Sequence, residues 1–556
     1  MATPFNDIIQ DETAAYLNDH VDPDNPPTSS TIEQELLDKV NDMIEVENVG
    51  RPKKNQLPFL KTLTHGQIAM ILRHLHNFCR IAPSASNADP DADPLGMYMD
   101  EGPEAGIYVT SEDTFRAVAR KYNFSLTINE FKEVLAALKD GAPRRYRSIE
   151  RDAIPVNNGI FNFRTKQLEP FTPDRVFIAK SRVDYVPDAS PVSITMVDGT
   201  VWDFDSWLLD LMGDDESMAT LIWEIMSAVV RPFVSWRKSA WFYSTSGNSG
   251  KGTLVQVMRD LVGEGSYASI KLSDFGKDFL LEPLLRAQAI LVDENDVGIW
   301  IDQAANLKAV QTNDVIPVNR KHRPVVSAQF FGFMVQCLNE FPRVKDKSES
   351  FYRRQHPVPF EKCFTGTEIP EIKDDYLRRP EVLQYILNRV LHMEHYQLST
   401  PAPVAEAIEQ YKLHNDPTRA FWAEMEPQFV WDLLPSTFLY ELFKAWSLKN
   451  NPKGSVTGKQ TFLDGIKELA LATGRWSWTP KSRTKGRMDG PELLIDEYDL
   501  QSWMNPMGKG SNDPNRRCSP IAKLMDTGLL RTGPRLVVVD DEAPDDEDVL
   551  DEGATA

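Results

Sequence analysis

The stretch AWFYSTSGNSGKGT, residues 240–253 of this 556-residue chain, decides the fold that we expect. It joins an apolar run to a loop of small residues, and a helical pattern, LVQVMRDL, follows directly. Glycines let backbone N–H groups approach a phosphate, a lysine adds positive charge, and a helix N-terminus favours anions. The stretch therefore predicts a phosphate-binding loop. Its predicted binding residues are Gly247, Asn248, Ser249, Gly250, Lys251, Gly252 and Thr253.

This loop departs from the pattern G-x-x-x-x-G-K-[ST] at two positions. Thr245 stands where the first glycine belongs, and Gly252 follows the lysine, so the hydroxyl comes one residue late, at Thr253. Nucleotide kinases share the G-K-G-T ending, which keeps the phosphate-loop interpretation and leaves open whether Thr253 binds Mg²⁺. A glycine and serine linker turn is the alternative.

A second apolar run, AILVDE at 289–294, ends in two carboxylates. Continuous apolar runs are typical of buried parallel strands, and the carboxyl ends of such strands meet at the edge where Mg²⁺ and the attacking water are handled. We assign Asp293 to Mg²⁺ and Glu294 to polarisation of the water, although the sequence leaves open which carboxylate does which. A strand that ends in a solvated acidic turn is the alternative.

A third apolar run, FFGFMVQCLNEFP, contributes Asn339, whose neutral amide suits the orientation of water or contact with a γ-phosphate. Arg353 and Arg354 follow, and paired arginines can stabilise a transferring phosphoryl group from a neighbouring subunit. Structural salt bridges are the alternative for this pair.

Between the acidic strand and Asn339, two β-like runs, VIPVN and VVSAQF, flank a basic segment. We expect a hairpin whose cationic tip carries Arg320, Lys321, His322 and Arg323. Such a tip can hold a phosphate backbone, and in a ring it would form an electrostatic funnel. A solvated basic turn is the alternative.

In this order, the motifs resemble superfamily 3 helicases, specifically the phage/plasmid and poxvirus primase-helicase group. The resemblance spans roughly residues 60–400 and depends on GNSGKGT, ILVDEND, LKAVQTNDVIPVNRKHRP and CLNEFPRVKDKSESFYRRQHPVPF. It implies an AAA+-like α/β motor that forms a ring, expected to be a hexamer, and hydrolyses ATP with Mg²⁺ between subunits. It also implies translocation on single-stranded DNA, 3′ to 5′, to unwind forked DNA.

The resemblance also implies roles for single residues. Lys251, Thr253, Asp293, Glu294 and Asn339 would act from one subunit, and Arg353 or Arg354 from the next. Contact with DNA in the channel would come from Arg320, Lys321, His322 and Lys308. Other replication proteins, such as a primase, a polymerase or a single-strand-binding protein, are the expected partners. The sequence has neither an apolar strand bearing D-x-D nor zinc-binding cysteines before the motor, so we expect no priming activity.

The predicted fold class is multi-domain α/β. We expect a flexible arm (1–30), a helical N-terminal or collar domain with a small β insert (31–235), the motor (236–400), a winged-helix-like DNA-binding domain (401–535) and an acidic tail (536–556). Residues 449–487 contain nine basic residues and two acidic ones, and Trp476 and Trp478 lie among them. This pattern predicts a duplex-binding surface; structural aromatics are the alternative.

Composition limits the remaining choices. The 61 basic against 82 acidic residues, a net charge of −21, argue against coating of nucleic acid by bulk charge, so any such site must be local. Four scattered cysteines exclude a zinc ribbon and a disulfide framework. No apolar stretch approaches a membrane span. We expect a cytoplasmic protein without membrane contact, in a bacterial host if a phage encodes it.

The leading hypothesis is a replicative DNA helicase of a phage or mobile element. An origin-binding initiator that binds ATP but scarcely hydrolyses it is the second, and a nucleotide kinase is the third.

Overall fold

The computed structural model of the chain describes residues 4–82, 93–321, 323–452, 454–520 and 525–536, without the side chains of residues 323 and 324. It is a mixed α/β protein with several sheets, as predicted, and forms two compact units, Met1–Ile408 and Glu409–Ala556. Within the described ranges, no helix is long and apolar enough to cross a bilayer. The predicted acidic tail lies outside them apart from its first residue.

The first unit begins with helices packed on a small sheet. In chain order the elements are α1 (Phe5–His20), α2 (Ser29–Asn48), α3 (His65–Leu75), β1 (Phe78–Ala82), β2 (Leu95–Tyr98), β3 (Tyr108–Val109), α4 (Glu112–Ala119), α5 (Ile128–Gly141) and β4 (Arg144–Tyr146). The sheet has the order β3-β2-β1-β4, and β4 runs parallel to β1. Thr64 and Thr127 begin α3 and α5 with capping boxes, which satisfy backbone N–H groups at both helix starts.

Helix α1 shows that the predicted flexible arm is wrong for residues 5–20. Its Ile8, Ile9, Tyr16 and Leu17 recur on one face and are buried in the core that α2 and α3 share. The Asp, Asn and Pro residues that favoured flexibility are concentrated in the connection from α1 to α2. The composition of the connection from α1 to α2 therefore obscured the helical spacing of the apolar residues in α1.

A β insert and two helices follow. They are β5 (Ala153–Val156), β6 (Gly159–Asn162), β7 (Gln167–Glu169), β8 (Ile194–Thr195), β9 (Val201–Trp202), α6 (Phe204–Leu211) and α7 (Glu216–Val230). Strands β5, β6 and β7 form an antiparallel meander, and β8 pairs with β9.

A five-stranded parallel sheet organises the rest of the first unit. Its elements and neighbours are β10 (Ser239–Tyr243), α8 (Lys251–Val262), β11 (Tyr267–Ala268), β12 (Ala289–Val292), β13 (Trp300–Ile301), α9 (Ala304–Gln311), β14 (Val315–Arg320), β15 (Arg323–Gln329), β16 (Phe333–Leu338), β17 (Arg343–Val344), α10 (Glu349–Tyr352), β18 (Gln355–Pro359), α11 (Pro370–Asp374), α12 (Pro380–His392) and α13 (Ala402–Asn415). The strand order is β11-β12-β16-β10-β18. All pairs are parallel, so the carboxyl ends of the strands lie along one edge.

One apolar core crosses the predicted boundary between residues 235 and 236. Buried residues from Ile154 to Val404 form this core, including residues of the meander, α7, the parallel sheet, α8 and α12. Helix α7 is buried around most of its circumference because it packs against both α8 and α12. The β insert therefore shares its core with the parallel sheet, whereas residues 8–142 have a core of their own.

The second unit combines helices with a small antiparallel sheet. Its elements are α14 (Pro417–Met425), β19 (Leu433–Pro435), α15 (Ser436–Asn450), α16 (Lys459–Ala472), β20 (Trp476–Arg483), α17 (Leu494–Glu497), α18 (Pro514–Arg517) and β21 (Met525–Arg531). The strand order is β19-β21-β20. The division between the two units falls within α13.

Arg231, at the end of α7, holds the β insert against the segment that follows α12. Its guanidinium lies 3.8 Å from the ring centroid of Phe163 and 4.9 Å from that of Tyr396, and Nη1 donates to the carbonyl of His395 at 2.7 Å. We expect Arg231→Ala to lower the free energy of unfolding by ~3 kcal/mol, because both aromatic contacts and the hydrogen bond are lost in a buried site.

Thermal unfolding followed by tryptophan fluorescence measures this loss. The control is Arg175→Ala, which removes a partly exposed ion pair to Glu169 and should cost less than about 1 kcal/mol. Equal effects of the two substitutions would contradict the role of Arg231.

Glu492 makes the second unit sensitive to pH. Its Oε2 accepts backbone N–H groups of Val430 and Trp431 at 2.9 and 3.1 Å, and burial raises the pKa of this carboxyl to about 7. The folded state therefore favours the protonated form, so its stabilising effect is present at low pH and is lost as pH rises from 4.5 towards 7.

We expect Glu492→Gln to remove this dependence and, above neutral pH, to stabilise the unit by up to about 3 kcal/mol. Urea unfolding below and above neutral pH measures the free energy of unfolding. Glu497→Gln changes a half-exposed carboxylate of the same unit and should leave the pH dependence intact. If the free energy of unfolding of the Glu492→Gln variant changed with pH as steeply as that of the unaltered protein, Glu492 would not be the source of the pH dependence.

Candidate active site

The loop between β10 and α8 has the strand, loop and helix order that the sequence predicts. Asn248 (φ 52°) and Gly250 (φ 79°) take the left-handed conformation, and α8 begins at Lys251. A Cβ on Gly250 would lie 2.4 Å from Cδ1 of Leu211, so this position requires glycine. The backbone N–H groups at the start of α8 have no side-chain cap, which leaves them available to an anion.

Lys251 lies at the base of this loop with a buried side chain. It is 8% exposed, and its Nζ donates to Oγ of Ser249 at 3.0 Å. Burial lowers the pKa of Lys251, while Asp293 acts in the opposite direction. A buried ammonium of this kind gains stability when an anion binds beside it.

Asp293 follows the last residue of β12 and lies over the first turn of α8. A Cβ on Gly252 would be 2.5 Å from Oδ1 of Asp293 and 3.2 Å from its Cγ. The glycine after Lys251, which departs from the usual pattern, therefore makes room for this carboxylate. Thr253 lines the neighbouring cavity together with Asn248 and Gly250.

Glu294 and Asn339 are exposed at the same edge of the sheet. Asn339 directly follows β16, which lies between β10 and β12. The parallel sheet thus brings together the positions of Lys251, Asp293, Glu294 and Asn339, although these residues are spread over 89 positions of the chain.

Two buried amides that the sequence analysis missed fix this edge. Asn295 donates to Oε1 of Gln336 at 2.9 Å and to the carbonyl of Cys337 at 3.0 Å, and it accepts the N–H of Leu272 at 3.0 Å. Gln336 in turn donates to the carbonyl of Ile270 at 3.0 Å. These bonds hold the ends of β12 and β16 in register. A glutamine inside the apolar run FMVQCL was the available signal.

Arg353 and Arg354 lie at the opposite edge. They immediately precede β18, whose amino end is separated from its carboxyl end by roughly 16 Å of strand. Arg354 is half-buried, and Nη1 donates to the carbonyl and to Oγ of Ser350; burial, together with the neighbouring Arg353, lowers its pKa. Arg353 is exposed and makes no ion pair with the described residues. The fold therefore keeps this pair away from the site of its own chain.

A buried network joins this opposite edge to α9. Gln311 donates to Oγ of Ser239 at 2.6 Å and to Oε1 of Gln355 at 2.8 Å. It connects the last turn of α9 with the first residues of β10 and β18. Lys308, on the same helix, lies 2.5 Å from Oδ2 of Asp346. The charge of Lys308, predicted to contact DNA, is thus already balanced within the chain.

Strands β14 and β15 form the predicted basic hairpin. They pair antiparallel, with Arg320 at the end of β14 and Lys321 exposed in the turn. His322 and the side chain of Arg323 lie outside the described residues. The hairpin therefore presents Lys321 at its tip.

A cavity of about 540 Å³ adjoins the loop between β10 and α8. Its wall includes Trp207, Leu211, Phe364 and Ile372. Asn248 holds the outer wall in place: its Nδ2 donates to Glu368 at 2.9 Å and to Thr365 at 3.2 Å, and its carbonyl accepts the N–H of Phe364 at 2.9 Å. This cavity could not be predicted from the sequence because its walls come from segments about 150 residues apart.

In the second unit, Trp476 is structural rather than exposed for nucleic acid. It is 2% exposed, and its indole N–H donates to Glu426 at 2.9 Å. Trp478 is partly exposed, with Nζ of Lys467 5.3 Å from its ring. Between residues 449 and 487, five exposed cations form no ion pair with the described residues: Lys459, Lys467, Lys481, Arg483 and Lys485.

Two parts of the chain match known families. Residues 242–354 match a family of unknown function (DUF5906), and residues 413–505 match the poxvirus D5 protein-like family. The predicted resemblance to the poxvirus group is therefore supported in the second unit, outside the range of residues 60–400 in which we expected it.

Solved structures of the NrS-1 C-terminal region are also similar to this chain. An apo A form has 13% identity over 79% of this chain and 91% of that chain, with a TM-score of 0.41. A second A form has 12% identity, coverage of 83% and 98%, and a TM-score of 0.42. A further apo structure has 12% identity, coverage of 84% and 100%, and a TM-score of 0.41.

Proposed function

We propose that the chain is an ATP-dependent, ring-forming DNA helicase of a phage or mobile element. In this proposal it hydrolyses ATP with Mg²⁺ between subunits and translocates on single-stranded DNA to unwind a fork. The observation that carries the proposal is the meeting of Lys251, Asp293 and Asn339 at one edge of a parallel sheet, beside a helix N-terminus. The match of residues 413–505 to the poxvirus D5 protein-like family supports a role in viral or phage replication.

The residues at this edge fit ATP and Mg²⁺. The loop has left-handed glycine at Gly250, a buried lysine and an uncapped helix start, and the adjoining cavity of about 540 Å³ can hold a nucleotide. Mg²⁺ in such sites is held by one or two carboxylates together with substrate phosphates. Asp293 supplies one carboxylate, and Thr253 supplies a hydroxyl on the same helix start.

Each side chain has a separate task in hydrolysis. Lys251 and the N–H groups at the start of α8 contact the phosphates, and Asp293 with Thr253 holds Mg²⁺. Bound Mg²⁺ neutralises charge on the β- and γ-phosphate oxygens. Glu294 polarises the attacking water, and the amide of Asn339 orients it.

The arginine pair favours action between subunits. Arg353 and Arg354 lie at the amino edge of the sheet, so they can reach a phosphoryl group only on a neighbouring copy. Arg353 is the better candidate because it is exposed, whereas Arg354 is bound to Ser350. A closed ring, expected to be a hexamer, gives every site such a neighbour.

Two surfaces are proposed to contact DNA. Lys321, with Arg320 and His322, would contact the single strand from the β14–β15 hairpin. The second unit contains α14, β19, α15, α16, β20 and β21 in that order, with α17 and α18 between the last two strands, and this order supports a winged-helix-like domain. The five exposed cations between residues 449 and 487 suit a duplex. Primase, polymerase and single-strand-binding protein are the proposed partners at the fork.

Gly252 also favours the second candidate function, an initiator that binds ATP and scarcely hydrolyses it. The residue after Lys251 has no hydroxyl to offer Mg²⁺, and the Asp293 carboxylate lies in the space beside it. A nucleotide kinase, the third candidate, would require turnover that depends on an acceptor nucleotide.

We expect ATP hydrolysis that single-stranded DNA stimulates and that Lys251→Ala reduces at least about 100-fold, because the buried ammonium is lost from the phosphates. The measurement is phosphate release with and without DNA, with particle mass from light scattering. Lys61→Ala, an exposed lysine distant in sequence, serves as the control. Binding of ATP without hydrolysis would favour the initiator, and dependence on an acceptor nucleotide would favour the kinase.

The contact between Gly252 and Asp293 gives a second prediction. We expect Gly252→Ala to displace the carboxylate and to reduce Mg²⁺-dependent hydrolysis about tenfold or more, with a change in stability below about 1 kcal/mol. In an Asp293→Ala background the same substitution should have no further effect on hydrolysis. The control is Gly66→Ala in α3, since a Cβ there meets only the side-chain oxygen of Thr64, at 4.0 Å. Additive losses in the double variant would contradict the contact.

Mixed subunits test action between copies. Lys251→Ala and Arg353→Ala proteins should each be inactive, but after exchange about a quarter of the sites would combine intact residues from two chains. Hydrolysis measured in the mixture should therefore recover. Mixing Lys251→Ala with Asp293→Ala, whose residues act in the same site, should restore none.

A further inference from the structure

A group of arginines in the first part of the chain belongs to neither of the proposed DNA surfaces. The segment GAPRRYRSIER, residues 141–151, carries four arginines and one acidic residue in a chain whose net charge is −21. Strand β4 lies within it, at the edge of the small sheet, and pairs with β1.

The register of β1 and β4 places two of these charges side by side. Arg80 is the direct partner of Arg144 in the parallel pair, so both side chains lie on the same face. Tyr146, two residues further along β4, shares that face and is 62% exposed. The guanidinium of Arg144 lies 5.7 Å from its ring centroid.

A third arginine approaches the start of β4 from helix α3. A Cβ on Gly141 would lie 2.0 Å from Nη1 of Arg73, so the Arg73 guanidinium rests against the backbone just before the strand. Arg73 is exposed. Three guanidinium groups from α3, β1 and β4 therefore lie around one short strand.

Among the described residues, one of the three charges has an ion-pair partner. Nε of Arg144 lies 2.7 Å from Oδ2 of the buried Asp93. Arg73 and Arg80 form no ion pair with the described residues, and Nε of Arg80 is buried without a hydrogen-bond partner. Like charges directly opposite on neighbouring strands destabilise a sheet. This arrangement becomes favourable when an anion binds between the arginines.

We propose that Arg73, Arg80, Arg144 and Tyr146 form a binding site for single-stranded nucleic acid. The guanidinium groups hold backbone phosphates, and the exposed ring of Tyr146 stacks on one unpaired base. Stacking selects a single strand because the bases of a duplex do not offer a free face. The site goes beyond the proposed function, since it needs neither ATP nor the hairpin of the motor.

The test measures the binding of a fluorescein-labelled oligothymidylate, without nucleotide, to the whole chain carrying Lys321→Ala. That substitution removes the lysine side chain at the tip of the hairpin. We expect Arg73→Gln with Arg80→Gln to weaken binding at least about tenfold and to reduce the slope of log K against log salt by about 1.4. Tyr146→Ala should weaken binding about tenfold, and Tyr146→Phe should retain it. Arg164→Gln, a 79% exposed arginine paired with Asp152, is the control.

Several outcomes of this experiment would distinguish the proposed site from other nucleic-acid-binding sites of the chain. Equal binding by all variants would overturn the proposal, as would a loss shared by Arg164→Gln. A preference for duplex that Tyr146→Ala leaves unchanged would also overturn it. Tyr146 is exposed, so its variants test the proposal even if the arginine variants lower the melting temperature. Loss of ATP hydrolysis without any change in this binding would affect only the proposed function.

Discussion

The candidate site depends on how closely the Asp293 carboxylate approaches the backbone of Gly252. That approach brings the end of β12 against the start of α8, although β16 separates β12 from β10, the strand that leads into α8. Any larger residue at position 252 would push the acid away from the buried Lys251. The buried bonds from Asn295 to Gln336 and Cys337 keep β12 and β16 aligned, so the position of Asp293 is fixed from both sides. Charge, loop conformation and strand order therefore constrain one another here.

Local patterns predicted the elements of this site, and long-range packing decided their arrangement. An apolar run, a small-residue loop and a lysine are contiguous, so strand, loop and helix at residues 239–262 could be predicted. The order of the strands could not be predicted, because the pairing of β10 with β16 and β18 joins residues about a hundred positions apart. The same reason hid the placement of Arg353 at the far edge and the cavity beside Asn248.

The prediction erred where it relied on composition or charge, because neither shows which residues a side chain contacts in the folded chain. Acidic and proline-rich neighbours concealed the apolar face of α1, which packs against α2 and α3. The charge of Lys308 did not reveal its pairing with Asp346, and its contact with DNA stays a prediction. A tryptophan among lysines looked like a contact surface, yet Trp476 is buried and bound to Glu426. In each case a residue from elsewhere in the chain determined the outcome.

The core shared by residues 154–404 has a consequence for biosynthesis. Strand β10, which leads into the loop before α8, is covered on its two sides by β16 and β18, and α12 closes the same core. None of these elements has been made when β10 leaves the ribosome. The apolar residues of β10 must therefore remain unpaired until roughly 100 more residues emerge, a period in which long-range pairing is slow and aggregation competes. The helical core of residues 8–142, built from local contacts, can form long before that.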